Sequence, residues 1–346
     1  MSEYRRVIRE PPEPGGPPAG DGENPAGARP LLLPDSRPPF RPTAGDPIHW
    51  ASRDLRALLG GRVTKACLDP GATCPNRDGT VGRGGCAWCD PGGSGPDDPR
   101  PGESWEARLE RLAAAALDRG ERGVVAYFQA FTATHVGTEA LEGLLARAVS
   151  VPGVAAVALG ARPDTLPDPV LDLLSAFALR LPLWLEVGMQ TSRDETLAAM
   201  NRGHVHAATV RAAAELRKRG LAFVLHLVFG LPGEGREDAL RSVEEAVRMG
   251  PWGLKIHPLH VVEGSPLSRK WREGGLPLLG REAYVGWVCD AVERIPPEVS
   301  VHRLSGERPE GLLLAPDWCR DKRGVLNAVR SELSRRGSWQ GKALAG

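Results

Sequence analysis

From Trp50 onward, short apolar runs alternate with longer stretches that carry helical periodicity. The runs at 62–68, 123–128, 153–160, 182–188, 221–229 and 253–260 predict strands. The stretches at 104–119, 138–149, 168–179, 205–219, 236–249 and 280–294 predict helices. Each strand run is apolar along most of its length, as in Leu221-Ala222-Phe223-Val224-Leu225. Parallel strands covered on both faces read this way. The βα units in series predict an α/β fold with a parallel sheet and right-handed crossovers. Such a sheet is either open and doubly wound or curved into a partial (βα)6 TIM-type barrel. No Gly-x-Gly-x-x-Gly follows a strand, which counts against a dinucleotide-binding sheet.

Polar residues gather where the predicted strands end. Gln129 and Thr132 follow the second, Arg162 and Asp164 the third, and Glu186 and Gln190 the fourth. His226 and the turn Gly230-Leu231-Pro232-Gly233-Glu234 end the fifth, and His257 and His260 the sixth. Alone, each is most simply a satisfied polar group at a strand end. Together they mark one rim, and α/β barrels collect their chemistry at the carboxyl face.

The loop after the first strand carries Cys74, Cys86 and Cys89 in the pattern C-x11-C-x2-C, within a glycine-dense stretch. Three clustered thiolates suit a cubane iron–sulfur cluster with one iron left open to a ligand. Glycines let the backbone wrap closely around an inorganic core. Zinc is the rival reading. Structural zinc takes four ligands, often from two C-x2-C knuckles, and only one knuckle is present. Cys67 would have to be the fourth ligand, yet it falls in the first predicted strand. A disulfide framework fits poorly, because Cys289 and Cys319 are scattered singly.

The 346 residues with 41% apolar content suffice for one large barrel or two ordinary domains. A net charge of +1 gives no global field that demands nucleic acid. No apolar run approaches a membrane span, and the start Met1-Ser2-Glu3-Tyr4-Arg5-Arg6 leads into no signal-like apolar segment. A cytoplasmic protein is the simplest expectation. Residues 1–46 are rich in proline and glycine and are expected to form a disordered extension. The barrel is expected over 47–296 and a C-terminal extension packing on or near it over 297–346. That last segment holds Arg320, Lys322, Arg323, Arg330, Arg335, Arg336 and Lys342. They fit either a phosphate-binding face or the solvated side of a helix whose Val325, Leu326, Val329 and Leu333 close the barrel; the second is the simpler.

These segments resemble the radical S-adenosylmethionine (radical SAM) superfamily, and within it the bacterial YhcC-like group. The likeness rests on Cys74-Pro75-Asn76-Arg77-Asp78-Gly79-Thr80, Tyr127-Phe128-Gln129-Ala130-Phe131-Thr132, Arg162-Pro163-Asp164 and Leu185-Glu186-Val187-Gly188-Met189-Gln190-Thr191. It continues in Asn201-Arg202-Gly203-His204, His226 to Glu234, Lys255-Ile256-His257-Pro258-Leu259-His260 and Leu313 to Cys319. The radical SAM core of the Elongator catalytic subunit is a more distant relative.

The resemblance implies a [4Fe–4S] cluster on Cys74, Cys86 and Cys89. S-adenosylmethionine would chelate the open iron and be cleaved reductively, and the resulting 5′-deoxyadenosyl radical would take hydrogen from a substrate. Gln190 matches a glutamine that contacts S-adenosylmethionine, and Arg202 an arginine that pairs with its carboxylate. Trp88 stands where an aromatic packs near the adenine, and the turn at Gly230 resembles one lining the adenine side. Gln129 replaces the usual Gly-Gly-Glu-like segment that binds the amine, and His226 is a further cofactor candidate. The implied partners are an external electron donor (a reductase, flavodoxin or ferredoxin) and a substrate for which tRNA is a candidate. An iron–sulfur sensor or accessory protein, and a zinc-stabilised barrel hydrolase, are the alternatives.

Overall fold

The computed structural model describes residues 40–43, 45–93, 95–96, 100–306, 308 and 311–344. The proline-rich extension expected over 1–46 lies largely outside the described residues. The chain opens with α1 (Ala51–Leu58), β1 (Val63–Leu68), α2 (Trp105–Asp118), β2 (Gly123–Phe128) and α3 (Thr138–Ser150). It continues through β3 (Val154–Ala161), α4 (Asp168–Ala178), β4 (Leu183–Gln190), α5 (Asp194–Ala199) and α6 (His206–Lys218). Then come β5 (Ala222–Phe229), α7 (Arg236–Arg248), β6 (Gly253–Pro258), β7 (Val261–Val262) and α8 (Pro266–Arg272). The chain closes with α9 (Arg281–Val292), β8 (Ser300–Arg303), β9 (Leu313–Ala315) and α10 (Lys322–Arg335).

Among the described residues the main sheet has 7 strands, in the order β1-β2-β3-β4-β5-β6-β8. Every pairing is parallel, and the sheet curves into a half-barrel. The six expected strands fall within a residue or two of their observed bounds, and β8 adds a seventh. Its four residues, Ser300-Val301-His302-Arg303, are too short and too polar to read as a buried strand.

Side chains alternate between the two faces of this sheet. Leu68, Ala126, Phe128, Leu159, Leu185 and Leu225 point outward and are buried beneath the helices, which contribute Leu109, Leu145, Leu174, Leu216 and Val243. The alternate positions point inward. Near the amino ends of the strands they are apolar: Val125, Ala156, Trp184, Ala222 and Val224 form a floor with Trp252. Leu55 and Leu59, from and just after α1, seal it from below. Towards the carboxyl ends the same face turns polar.

The C-terminal segment is part of the core. Val325, Val329 and Leu333 of α10 are buried in the cluster that includes Tyr284, Val288 and Val292 of α9. Arg335 forks onto Glu332 at 2.7 and 2.8 Å. Arg336 reaches Asp290 and Glu332, both at 2.7 Å. The basic residues here form the solvated and ion-paired side of a packing helix. We expect Leu333→Ala to cost about 2–5 kcal/mol of stability, a cavity-forming loss measurable by urea denaturation.

Residues near the two ends of the described chain are clasped together. His49 N donates to Gln340 Oε1 at 2.8 Å, and Gln340 N donates to Pro47 O at 2.9 Å. The Gln340 amide also donates to Pro296 O and Val299 O, each at 2.8 Å. Val301 N of β8 donates to His49 O at 2.7 Å. Among the described residues no helix is long and apolar enough to cross a membrane.

Candidate active site

The cysteine loop leaves β1 at the carboxyl rim and is shaped by tight turns. Cys74 O accepts from Arg77 N at 2.7 Å and from Asp78 N at 3.1 Å, so the chain turns as soon as Pro75 fixes its φ. Cys86 O accepts from Cys89 N at 3.0 Å, which makes the C-x2-C knuckle a single turn. Arg77 spans the loop from inside, donating to Asp90 O at 2.6 Å and lying 5.4 Å from the Phe131 ring centre. Burial pushes the Cys89 thiol up to about 11, against the pull of Arg77.

A second segment, between α5 and α6, holds this loop in place. The buried Asn76 donates through Nδ2 to Asn201 O. Asn201 in turn donates to Gly85 O at 2.7 Å. Gly203, with φ of +76°, lies against Asn76 so closely that a Cβ would stand 2.7 Å from its Oδ1. Ala87 N donates to Met200 O at 2.9 Å, and Leu267 N of α8 donates to Ala87 O at 2.9 Å. The knuckle is thus stitched between α5 and α8. Trp88 packs there with Met200, Leu231 and Leu267.

Arg202 meets the knuckle from the sheet side. Its Nη1 lies 3.4 Å from Cys86 Sγ, and its Nη2 donates to Gly188 O at 2.9 Å. It is only 7% exposed, and its Nε has no protein partner, so it is no surface ion-pair residue. Gln190 follows on β4 with φ of +72°, in the left-handed region. Gly188 gives both side chains room: a Cβ there would stand 2.5 Å from Gln190 Nε2 and 2.6 Å from Arg202 Nη2. Behind them, Arg162 donates to Arg202 O at 2.8 Å and forks onto Asp164 at 2.7 and 2.9 Å. Burial alone would lower the Arg162 guanidinium; Asp164 and the thiols of Cys74 and Cys86 raise it instead. Gly230, with φ of +82°, ends β5 where a Cβ would meet Leu279 at 2.8 Å.

Gln129 and His226 lie apart from this group, inside the half-barrel. Gln129 Oε1 accepts from Cys67 Sγ at 3.6 Å. His226 Nε2–H donates to Glu186 Oε2 at 3.1 Å, and its ring lies 5.9 Å from that of His257. Burial, then the Lys65 charge, hold the His226 imidazole down at about 3, so it is neutral. Glu186 is the centre of an interior network that the strand-end reading touched only in part. Its Oε1 accepts from Lys65 Nζ at 2.7 Å and from Trp184 Nε1 at 3.4 Å, and its Oε2 accepts from Lys255 Nζ. The signal for these lysines was the period-2 alternation that places Lys65, Glu186, His226 and Lys255 on one inward face.

The donor set fits a cluster with an open position. Three thiols share one loop, a buried guanidinium faces one of them, and one of its N–H groups is unclaimed. Among the described residues no three His, Cys, Asp or Glu side chains close around one point as a single metal ion would need.

The pattern of the Radical SAM superfamily matches residues 73–246. That of the Radical_SAM C-terminal domain matches residues 251–335. YtqA of Bacillus subtilis (strain 168) is 37% identical over 295 residues, which is 85% of this chain and 92% of that protein. YhcC of Escherichia coli (strain K12) is 39% identical over 298 residues, 86% of this chain and 95% of that protein. The archaeal Methanocaldococcus infernus Elp3 structure with an N-terminal deletion (1-46) aligns with a TM-score of 0.60 at 18% identity. It covers 67% of this chain, which spans 59% of that one; a likeness at this identity speaks for the fold alone. A superfamily match that begins one residue before Cys74, with near-full-length relatives at this identity, makes the chain a member of the radical SAM superfamily, in the group of YhcC and YtqA.

Proposed function

We propose that this chain is a radical SAM enzyme, with a [4Fe–4S] cluster on Cys74, Cys86 and Cys89 and its substrate in the mouth of the half-barrel. The observation that carries the reading is the buried Arg202, poised between Cys86 Sγ and Gly188 O with its Nε unclaimed. A buried cation without a carboxylate partner is costly unless an anion joins it. The methionyl carboxylate of S-adenosylmethionine is such an anion, and a guanidinium matches a carboxylate in two-point geometry. When bound, the cluster and S-adenosylmethionine supply one-electron bond cleavage and hydrogen-atom abstraction.

The chain's own residues bind and orient. Arg162 holds the backbone of Arg202 and so fixes where its guanidinium points. Gln190 offers an amide beside it. Trp88 and the turn at Gly230 flank the adenine side, and the apolar packing around Leu231, Leu259 and Leu267 excludes water there. Electrons come from an external donor, a reductase, flavodoxin or ferredoxin.

The test is anaerobic. Reconstituted protein with dithionite or reduced flavodoxin should release 5′-deoxyadenosine and methionine from S-adenosylmethionine, read by chromatography with mass detection. A full complement of iron with no such release would favour the sensor reading. Stoichiometric zinc in its place would favour the hydrolase.

A further inference from the structure

Arg77 is threaded through the cysteine loop. Its Nη2 donates to Asp90 O at 2.6 Å and to Cys89 O at 3.3 Å, at the far end of the knuckle. At the near end a Cβ on Gly85 would stand 2.7 Å from Arg77 Nε, so the glycine beside Cys86 leaves the passage open. The Phe131 ring closes the remaining side, its centre 5.4 Å from the guanidinium carbon. Phe131 takes a φ of +53° to do so, a left-handed backbone that a bulky side chain rarely adopts. Gly93 meets the same ring, and a Cβ there would run into it. Backbone strain at one position and missing side chains at two therefore keep the guanidinium against both flanks of Cys86-Ala87-Trp88-Cys89.

Among the described residues Arg77 meets no carboxylate; its partners are two carbonyl oxygens and a ring face. The acids nearest in the loop are engaged elsewhere. Asp78 accepts from Thr80 at 2.7 Å and from His135 at 2.8 Å, and Asp90 holds Arg308 at 2.9 Å. Burial is the main influence on the Cys89 thiol, and among its neighbours Arg77 comes next, favouring the thiolate ahead of Asp90, which opposes it. The other guanidinium at the knuckle, Arg202, keeps an unclaimed Nε that a ligand carboxylate can answer. Such a carboxylate would cancel the Arg202 charge. Arg77 is spent on carbonyls, which leave its charge in place.

We propose that Arg77 sets the reduction potential of the cluster, raising it towards the reach of the external donor. The inference rests on the radical reading for the cluster itself. Reduction takes one electron from the donor and adds one negative charge beside Cys89, with no proton transferred. A fixed positive charge at that place lowers the energy of the reduced form, and so raises the potential. Arg77 acts through Cys89 and touches no substrate, so it is a positioning residue.

The experiment is a redox titration of anaerobically reconstituted full-length protein without S-adenosylmethionine, followed by visible absorption and by electron paramagnetic resonance of the reduced cluster. Arg77→Gln should lower the ratio of reduced to oxidised cluster at a fixed potential by about tenfold, a fall of about 59 mV for one electron. Arg77→Lys keeps the charge and should stay within about threefold of wild type, about half of that fall. Arg335→Gln, at an exposed arginine paired with Glu332, should leave the potential where it is. Iron content and melting temperature report assembly and folding. If Arg77→Gln holds no iron, Arg77→Met, which keeps an apolar stem against the Phe131 ring, is titrated in its place. An unchanged potential in the neutral variant, or an equal fall in Arg77→Lys, overturns the proposal. Loss of iron from both neutral variants also overturns it, since Arg77 would then be a scaffold of the loop alone. A wild type without a cluster would remove the radical reading and this one together. The expected shift without 5′-deoxyadenosine release would sink the radical reading and leave this one standing; release with no shift would do the reverse.

Discussion

Cys74→Ala, Cys86→Ala and Cys89→Ala proteins, purified and reconstituted without oxygen, are expected to hold almost no iron and to lack the brown colour of the wild type. Two thiolates cannot hold a cubane that needs three, so each single change removes the whole cluster. Cys67→Ala, Cys289→Ala and Cys319→Ala should stay near wild-type iron. Cys67 donates to Gln129 inside the half-barrel. Cys289 sits in α9 with its thiol directed at Val329 O at 3.6 Å, and burial pushes it up to about 12. Burial raises Cys319 to about 12 as well. Iron assay and visible absorption decide the set. If Cys67→Ala loses metal as completely as Cys74→Ala, the site has four thiolates and no open iron.

The second large effect is expected at Arg202. Arg202→Ala should weaken S-adenosylmethionine binding by roughly tenfold or more, the loss of a charge-assisted contact worth about 1.5–3 kcal/mol. The cluster should survive, since Arg202 touches Cys86 Sγ but supplies no ligand. Arg202→Lys should recover only part of the affinity, because an ammonium cannot serve Gly188 O and a carboxylate with one flat fork. Gln190 needs a gentler change. Its left-handed backbone favours asparagine over alanine, so Gln190→Asn tests the amide with the least added strain. Calorimetry on the reconstituted variants measures both. Unchanged affinity at Arg202 and Gln190 together would place the methionyl carboxylate elsewhere.

The sequence showed the repeating frame clearly because parallel strands buried on both faces leave long apolar runs, and Leu221 to Phe229 could hardly be anything else. The cysteine loop was equally plain, since its spacing is local. What stayed hidden depends on contacts between distant segments. Asn76 looked like a loop residue until the fold set it against Asn201 and Gly203. Arg202 could have been a surface residue; its burial follows from Gly188 having no side chain to block it. Lys65 lay inside an apolar strand run and drew no notice, because its meaning comes from Glu186, 121 residues away. β8 was missed for the same reason, as its four residues become a strand only by pairing with β6.

The clasp at Gln340 has a consequence for synthesis on the ribosome. His49 and Gln340 are separated by 291 positions, and the backbone of His49 also anchors the last strand of the sheet. His49 must therefore wait for a partner that is synthesised nearly last. Contacts so distant in sequence form slowly, and partial chains expose apolar edges meanwhile. A nascent chain lacking its final residues would leave His49 and the Pro296–Val299 turn without the Gln340 amide that ties them together, ahead of α1. Premature termination late in the message would then yield a product that has lost its closing contact, more than a slightly shortened chain.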